Sequence, residues 1–417
     1  MLQDAPPGLP AGLDSRLIVE PPGRVDASVL PTADPVRAAA NAVSAGIPAA
    51  VIARFGATVR QTHRRANVIV IDVPADRQAA LADALRAAGI AARPPLPIRP
   101  LLNDSVPMLR VPAVWAAGWD GSGVRIAIVD TGVDGTHPDL HGRIAERADF
   151  SGAGDNDDVG HGTHVAGIAA GAGTVYRGVA PAGTLVIAKA LSVNGGTEDA
   201  VLAAMSWASR QNVQVMNLSL GGPGSPRSPL GREVDALAAE GIVVCVAAGN
   251  AGPGRSTIES PGNARGALTI GAADKTGGLA SYSSRGPVPG VRYRKPDVIA
   301  IGGGVTRGAA CGYGTGIASA RAVVLDGDPC VVPPRYLRMS GTSMATPHVA
   351  GICALLFEAT RDRRLGAVAR ARLVRSAILA SARPIGRASP HDAGAGLIDA
   401  AAAFARAAAH GRTSVPA

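Results

Sequence analysis

Uninterrupted apolar runs alternate with helical patterns along the chain from about residue 108 onward. Runs of this length predict buried strands, and they cover 124–129, 184–190, 213–220, 242–247 and 268–272. Apolar positions at helical spacing predict helices over 198–210, 230–239, 342–359 and 365–380. Strands that are apolar on both sides and alternate with helices indicate an α/β fold, with a mostly parallel central sheet between two helical layers.

The N-terminal hundred residues have a different pattern. Residues 1–45 are rich in proline and poor in large apolar side chains, which predicts a mobile leader. An apolar run at 49–53, an alternating segment at 67–72 and a helical pattern at 76–88 predict a strand–strand–helix–strand unit, a small α+β module. Prolines in 92–107 predict an extended linker. We therefore expect a leader at 1–45, a module at 46–100 and a large domain at 105–408.

Composition and charge narrow the classes of function. The chain has 417 residues, of which 47% are hydrophobic, so it can bury a large core. Its net charge of +9 raises the question of nucleic-acid binding. The arginines are scattered rather than clustered, so we expect no nucleic-acid partner. No apolar run reaches the length of a membrane span, so we expect no membrane-spanning helix.

The candidate reactive side chains lie where parallel strands end or helices begin. Asp130 follows the predicted strand 124–129, Asn250 follows 242–247, and Ser219 lies at the end of 213–220. His161 opens an apolar helix, and Ser343 lies at the start of another. Functional sites of such sheets form at the carboxyl ends of the strands, so Asp130, His161 and Ser343 can converge there.

Each of these residues also has an ordinary structural interpretation. A serine at a helix start is usually a capping hydroxyl, and an aspartate at a strand end is usually a cap or turn residue. Ser343 becomes a nucleophile candidate only if a base and an orienting acid lie near it. We expect Pro347 to be tolerated because it falls within the opening turn of the Ser343 helix. The joint occurrence of these residues favours a catalytic site.

Three motifs carry a resemblance to a known family. Asp130-Thr-Gly, His161-Gly-Thr-His-Val-Ala-Gly and Gly341-Thr-Ser-Met-Ala-Thr-Pro-His-Val-Ala-Gly351 resemble, in that order, the catalytic motifs of subtilisin-like serine proteases. The resemblance covers roughly residues 105–405. It implies a three-layer subtilisin-like fold, a serine endopeptidase that acts on proteins or peptides through an acyl-enzyme, and a monomer.

The resemblance also implies residue roles. Ser343 would be the nucleophile, His161 the base and Asp130 the group that orients the base. Asn250 would supply an oxyanion donor together with the Ser343 N–H. The residues implied in substrate binding are Ser219, Leu220, Gly221, Ala248, Gly249 and Glu259. A carboxylate at Glu259 would favour arginine or lysine before the scissile bond, unless its side chain turns outward into solvent.

The resemblance implies no required cofactor. Calcium is possible, but the loop after His161 lacks the asparagine-rich segment of the strong calcium site in bacillary subtilisins, and no metal site is identified. Asp139 and residues 155–158 are either metal ligands or solvated loop carboxylates. Cys245 and Cys353 lie in apolar runs, which predicts buried thiols. Cys311 and Cys330 are either a disulfide or two free thiols.

The module is similar to the inhibitory pro-domain of the family, through residues 55–63 leading to 68–71. This similarity implies a zymogen that cleaves itself near residues 100–107 and is inhibited by its own pro-domain. A pro-domain and a possible disulfide suggest a secreted protein, although no signal peptide is visible and a cytoplasmic location is the alternative. The rival function is a protease-like binding protein without catalysis. A carboxyl-type relative is disfavoured by His161.

Overall fold

The computed structural model describes residues 15–22, 46–63, 67–94, 97–100, 105–304, 316–325, 328, 330–332 and 335–409. The α-helices in these ranges are α1 (Ala49–Arg54), α2 (Gln78–Ala87), α3 (Val111–Ala116), α4 (His161–Ala170), α5 (Glu198–Ser209), α6 (Pro229–Glu240), α7 (Thr342–Ala359), α8 (Ala367–Ser381), α9 (Pro390–Ala393) and α10 (Ala400–Ala409). Short 3₁₀ helices cover Ala75–Arg77, Pro107–Leu109 and Val323–Leu325.

The strands in the described ranges are short, and each has two to six residues. They are β1 (Arg16–Glu20), β2 (Thr58–His63), β3 (Val68–Asp72), β4 (Ala91–Arg93), β5 (Pro97–Pro100), β6 (Arg125–Asp130), β7 (Ile144–Asp149), β8 (Thr184–Lys189), β9 (Leu191–Ser192), β10 (Gly195–Thr197), β11 (Val215–Leu218), β12 (Leu220–Gly221), β13 (Val243–Ala247), β14 (Leu268–Ala273), β15 (Val298–Ile301), β16 (Ile317–Ala320), β17 (Val331–Val332) and β18 (Tyr336–Met339).

A seven-stranded parallel sheet forms the centre of the large domain. Its strand order is β15-β14-β13-β11-β6-β8-β7, and each neighbouring pair runs parallel. Successive side chains of a strand point to opposite faces, so Ile126 and Ile128 of β6 pack in one cluster and Ala127 and Val129 in another. The predicted α/β fold class is confirmed.

Helices cover both faces of this sheet. Helices α4, α7, α8 and α10 contribute to the cluster that holds Ile126, and α5 and α6 contribute to the cluster that holds Ala127. In α7 every residue except Ala359 is buried. The helix that carries Ser343 therefore runs through the core, so its first turn is held rigidly against the sheet.

The N-terminal module is a four-stranded antiparallel sheet, with order β2-β3-β1-β4. Helix α2 packs on it through Leu81 and Leu85. Two predictions need correction here. The segment 16–20 lies in the predicted leader but forms the interior strand β1, because Leu17, Ile18 and Val19 are all buried. The run at 49–53 is helix α1 rather than a strand, since a short apolar run fits either structure.

The module docks on the large domain through α5 and α6. Ile18 and Val68 belong to the same apolar cluster as these two helices. Arg16 donates to Asp199, in the first turn of α5, at 3.0 Å, and Arg93 pairs with the neighbouring Glu198. Since both acids are buried, the two arginines compensate charges that would be costly to leave unpaired.

After the module the chain enters a small sheet of the large domain. Strand β5 lies between β12 and β10 in the order β12-β5-β10-β9. Arg99 is opposite Gly221, and Pro100 is opposite Leu220, in antiparallel register. On its other side Ile98 is opposite Gly196. An extended segment of the chain therefore occupies a slot between two strands of the large domain.

The four cysteines fall into two groups. Cys245 and Cys353 are free and buried, as predicted. Cys330 is disulfide-bonded, and Cys311, the partner considered from the sequence, lies outside the described residues. Within the described ranges, no helix combines the length and the apolar character needed to cross a membrane.

Candidate active site

Asp130 and His161 meet at the carboxyl edge of the central sheet. Asp130 is the last residue of β6, and His161 is the first residue of α4. The Nδ1 atom of His161 lies 2.5 Å from Oδ1 of Asp130, and both side chains are only 1% exposed. An ionised carboxylate can only accept a hydrogen bond, so it fixes the neutral imidazole in the tautomer with its proton on Nδ1.

A second aspartate holds the segment that carries His161. Asp157 accepts hydrogen bonds from Gly160 N at 2.7 Å, Thr163 N at 2.8 Å and Thr131 Oγ1 at 2.8 Å. It is 6% exposed, and burial raises its pKa although these hydrogen bonds act in the opposite direction. The prediction that Asp157 is a metal ligand or a solvated loop carboxylate is therefore wrong. It fastens the start of α4 to the residue after Asp130.

Two glycines allow the close approach of α4 to the loop after β6. Gly160 precedes the helix with φ of 86°, a left-handed conformation that favours glycine. A Cβ on Gly162 would lie 2.1 Å from the carbonyl oxygen of Gly132. Larger side chains at these positions would push His161 away from Asp130.

Ser343 and Ser219 exchange two hydrogen bonds. The Ser343 hydroxyl donates to the carbonyl oxygen of Ser219 at 3.1 Å, and the Ser219 hydroxyl donates to the carbonyl oxygen of Ser343 at 2.7 Å. A hydroxyl has one hydrogen, so in this arrangement the Ser343 hydrogen is directed to Ser219. Asn217 Nδ2 donates in turn to the Ser219 hydroxyl at 2.9 Å.

The prediction for Pro347 needs correction. It is the sixth residue of α7, beyond the opening turn, and lies inside the helix. Since proline has no N–H, the carbonyl of Ser343 loses its donor four residues ahead. The Ser219 hydroxyl supplies that donor instead, which explains how the proline is tolerated.

Asn250 follows β13 and faces the start of α7. Its Oδ1 accepts hydrogen bonds from Thr342 N at 2.9 Å and Thr342 Oγ1 at 3.0 Å. These bonds fix the orientation of the carboxamide, because only its oxygen can accept them. The NH₂ group is therefore held on the other branch of the carboxamide and does not take part in these two bonds.

A slot lies next to Ser219. Gly221 is on one wall of this slot, and Ala248 and Gly249 are on the opposite wall. Glu259 N donates to the carbonyl oxygen of Ala248 at 3.0 Å. A Cβ on Gly221 would lie 2.6 Å from Glu259 Oε2, and a Cβ on Gly249 would lie 2.9 Å from Glu259 Cδ. The side chain of Glu259 therefore reaches between the two glycines. It is half-buried, and burial raises its pKa.

Two further histidines of the motifs are buried and hydrogen-bonded to the main chain. His164 Nε2 lies 3.1 Å from the carbonyl oxygen of Leu337, and burial lowers its pKa to about 3. His348 Nδ1 lies 2.5 Å from the carbonyl oxygen of Met344, and burial lowers its pKa to about 4. Both rings are neutral near pH 7 and belong to the packing of α4 and α7.

Among the described residues, no group of three or more histidine, cysteine, aspartate or glutamate side chains is arranged to hold a metal ion. Asp139, a candidate ligand from the sequence, instead accepts a hydrogen bond from the Tyr336 hydroxyl at 3.0 Å. The expectation that no cofactor is required, with calcium possible, stays a prediction.

Comparison with known proteins connects this geometry to one family. The profile of the subtilase family (Peptidase_S8) matches residues 121–403. Serine protease AprX of Bacillus subtilis (strain 168) is 38% identical over 272 residues, which cover 58% of this chain and 58% of AprX. Subtilisin DY of Bacillus licheniformis is 36% identical over 258 residues, covering 60% and 82%. Subtilisin E of Bacillus subtilis (strain 168) is 34% identical over 259 residues, covering 60% of each.

Proposed function

The chain belongs to the subtilase family, and on this premise we propose that it is a serine endopeptidase that hydrolyses peptide bonds of proteins through an acyl-enzyme. The observation that carries the proposal is the buried 2.5 Å contact between His161 Nδ1 and Asp130 Oδ1, inside the matched region. The chain spans 58% of the length of AprX, so activity and substrates are proposed from its own residues.

The proposed reaction begins with Ser343. Its hydroxyl is a weak nucleophile, so His161 must remove the proton as the oxygen attacks the substrate carbonyl. Asp130 keeps the proton of the neutral ring on Nδ1 and stabilises the imidazolium that forms. The hydroxyl hydrogen now directed to Ser219 must first turn to His161, by rotation about the Ser343 Cα–Cβ bond. Such hydrogen bonds often form only in the substrate complex.

The tetrahedral intermediate carries a negative oxygen that needs donors. We assign the NH₂ group of Asn250 and the main-chain N–H of Ser343 to this task. Ser343 is the second residue of α7, so its N–H is among the unpaired donors of the helix N-terminus. His161 then returns its proton to the leaving amine, and water releases the acyl group by the same route.

The substrate would bind as an added strand. The pairing of Arg99 with Gly221 and of Pro100 with Leu220 supports this assignment, because an extended segment already occupies that position. We therefore propose that Ser219, Leu220 and Gly221 bind substrate main chain, and that Ala248 and Gly249 form the opposite wall.

We also propose that the N-terminal module is an inhibitory pro-domain. The strand that follows the module, β5, occupies the proposed substrate slot, and the ion pairs of the module with Asp199 and Glu198 hold it on α5. From Pro100 the paired chain runs toward Ser219, which contacts Ser343. Self-cleavage would therefore fall within residues 101–104, followed by release of the module.

A protease-like binding protein without catalysis is the second candidate. Two observations favour a binding protein over an enzyme that is active without processing. The Ser343 hydroxyl donates to Ser219, and β5 fills the slot. Labelling with a fluorophosphonate, which reacts only with an activated serine, separates the two. We expect labelling of Ser343 after limited proteolysis and little before it. No labelling in either sample would contradict the endopeptidase and support the binding protein.

Mass spectrometry of the wild type against the Ser343→Ala variant tests self-processing. We expect the wild type to lose an N-terminal fragment that ends within residues 101–104, and the variant to stay intact. Identical cleavage of both proteins would assign processing to another protease.

We propose that the protein works outside the cytoplasm. The support is Cys330, which is disulfide-bonded, since such bonds persist in oxidising compartments. Cell fractionation with thiol labelling tests this. An intracellular protein in which all four cysteines react with the label after denaturation would contradict it.

A further inference from the structure

The space between Gly221 and Gly249 contains a carboxylate side chain whose position is not explained by packing. Glu259 extends its carboxylate into the space next to both glycines. Among the described residues, no histidine, lysine or arginine lies within ion-pair distance of this carboxylate. No hydrogen bond to it is present in that part of the chain either. A carboxylate in a partly dehydrated slot without a partner is unfavourable.

We propose that Glu259 makes this protein prefer arginine or lysine immediately before the scissile bond. The inference rests on the proposed endopeptidase function and adds its substrate class. A guanidinium or ammonium group entering between the two walls would supply the missing counter-charge, through a charge-assisted hydrogen bond.

Both walls of the slot are connected to the segments that carry Ser343 and Asn250, and the Glu259 carboxylate lies between these walls. Gly221 lies two residues from Ser219, which exchanges two hydrogen bonds with Ser343. On the other side, Glu259 N donates to Ala248 O, two residues before Asn250. A substrate side chain that starts beside Ser343 and points between these walls therefore reaches Glu259.

Burial and charge support the same assignment. The raised pKa of Glu259 arises from burial, with no neighbouring charge as a cause. A cationic side chain in the slot would lower the pKa again and hold the carboxylate ionised. An apolar side chain would instead deepen the burial of an uncompensated carboxylate, so it is disfavoured.

The proposed self-cleavage segment does not conflict with this preference. Residues 101–104 read Leu-Leu-Asn-Asp and contain no cation. That segment follows directly after β5 in the chain, and β5 is paired with Leu220 and Gly221. A covalent connection of this kind raises the effective concentration of the peptide bonds that follow, so a poorly fitting side chain would be sufficient for a single intramolecular cut.

The test compares mature protein with peptides that differ only in the residue before the scissile bond: arginine, lysine, phenylalanine, leucine or alanine. We expect kcat/KM for arginine to exceed that for phenylalanine by about 10- to 100-fold, the range of a hydrogen bond between charged groups. In Glu259→Gln, which keeps the size and removes the charge, this ratio should fall by a similar factor. Glu259→Asp should retain much of it.

Glu146→Gln is the matched control, because it removes the same charge from an exposed position on β7. Its arginine-to-phenylalanine ratio should equal that of the wild type. A wild-type preference for phenylalanine, leucine or alanine, or an unchanged ratio in Glu259→Gln, overturns the inference. Fluorophosphonate labelling of every variant keeps the two proposals apart: labelled protein without the preference refutes only the role of Glu259, and unlabelled wild type refutes the endopeptidase.

Discussion

Ser219 donates a hydrogen bond to the carbonyl oxygen of Ser343 at 2.7 Å. This carbonyl accepts from a side chain because Pro347 has no N–H to donate. The same pair is joined by the Ser343 hydroxyl, which donates to Ser219 O. The strand that would bind substrate main chain and the helix that carries the proposed nucleophile are therefore fastened together at the reacting residue.

This relationship predicts an energetic coupling between Ser219 and Pro347. Ser219→Ala leaves the buried carbonyl of Ser343 without a donor, and we expect a loss of about 1–3 kcal/mol in the free energy of unfolding. In Pro347→Ala the new N–H can donate to that carbonyl, so Ser219→Ala should cost less. Denaturant unfolding of the two single variants and the double variant, all in an Asp130→Asn background that suppresses self-digestion, measures the coupling. Additive costs would show that the two residues act independently.

The proposed oxyanion donor can be separated from the structural role of Asn250. Asn250→Asp keeps the oxygen that accepts from Thr342 N and Oγ1 but loses the NH₂ group. We expect kcat to fall about 10²- to 10³-fold, the magnitude known for an oxyanion donor in subtilisin, with little change in melting temperature. Asn250→Ala should lower kcat to a similar extent and also lower the melting temperature, because Thr342 loses its acceptor. A kcat within threefold of wild type in both variants would exclude the donor role.

Asp130→Asn tests the orienting carboxylate. An amide cannot hold the proton of His161 on Nδ1 by charge, so the ring adopts the wrong tautomer and kcat should fall by about 10⁴-fold, as in other serine proteases. Steady-state kinetics with a peptide substrate measures this fall. Asp362→Asn removes the same charge from an exposed residue and should keep wild-type kcat. Equal activity of both variants would remove Asp130 from the mechanism.

The elements with a strong periodic pattern were predictable from the sequence. Helix α7 has the predicted bounds, Thr342–Ala359, because its apolar run is long. Strand β7 is not predictable in this way, because two of its six residues are exposed, the other four are only half-buried, and Ile-Ala-Glu-Arg-Ala-Asp forms no apolar run. Strand β1 was missed because its three apolar residues follow a proline-rich stretch, and only pairing with β3 and β4 shows their role.

The candidate site was predictable only as a set of residues. The motifs indicate Asp130, His161 and Ser343, but the bonds that position them depend on tertiary contacts. The exchange between Ser219 and Ser343 joins residues 124 positions apart, and no local pattern encodes it. The structural role of Asp157 was only weakly indicated, since an aspartate shortly before a helix often caps it. The sequence does not show which of the neighbouring acids is buried.

The buried His63 predicts that the N-terminal module weakens in acid. His63 ends β2, and neither ring nitrogen has a hydrogen-bond partner among the described residues. Burial lowers its pKa from 6.5 to about 4, although Asp199 acts to raise it and Arg210 adds to the lowering. The folded state therefore keeps the ring neutral, while the unfolded chain binds a proton below pH 6.5. The contribution of His63 to stability is complete above pH 6.5 and is lost as the pH falls toward 4.

The loss from His63 amounts to about 3 kcal/mol in the free energy of unfolding, at about 1.4 kcal/mol per unit of pKa. Urea unfolding of the Ser343→Ala protein at pH 7.5 and pH 4.5 measures it without self-cleavage. Adding His63→Leu, which keeps an apolar side chain in the site and cannot bind a proton, should reduce the difference between the two pH values by most of that amount. The remaining difference combines the effects of His164 and His348, whose pKa values are also lowered, with those of the acids whose pKa values are shifted. An equal pH difference with and without His63→Leu would show that His63 does not sense acid in this range.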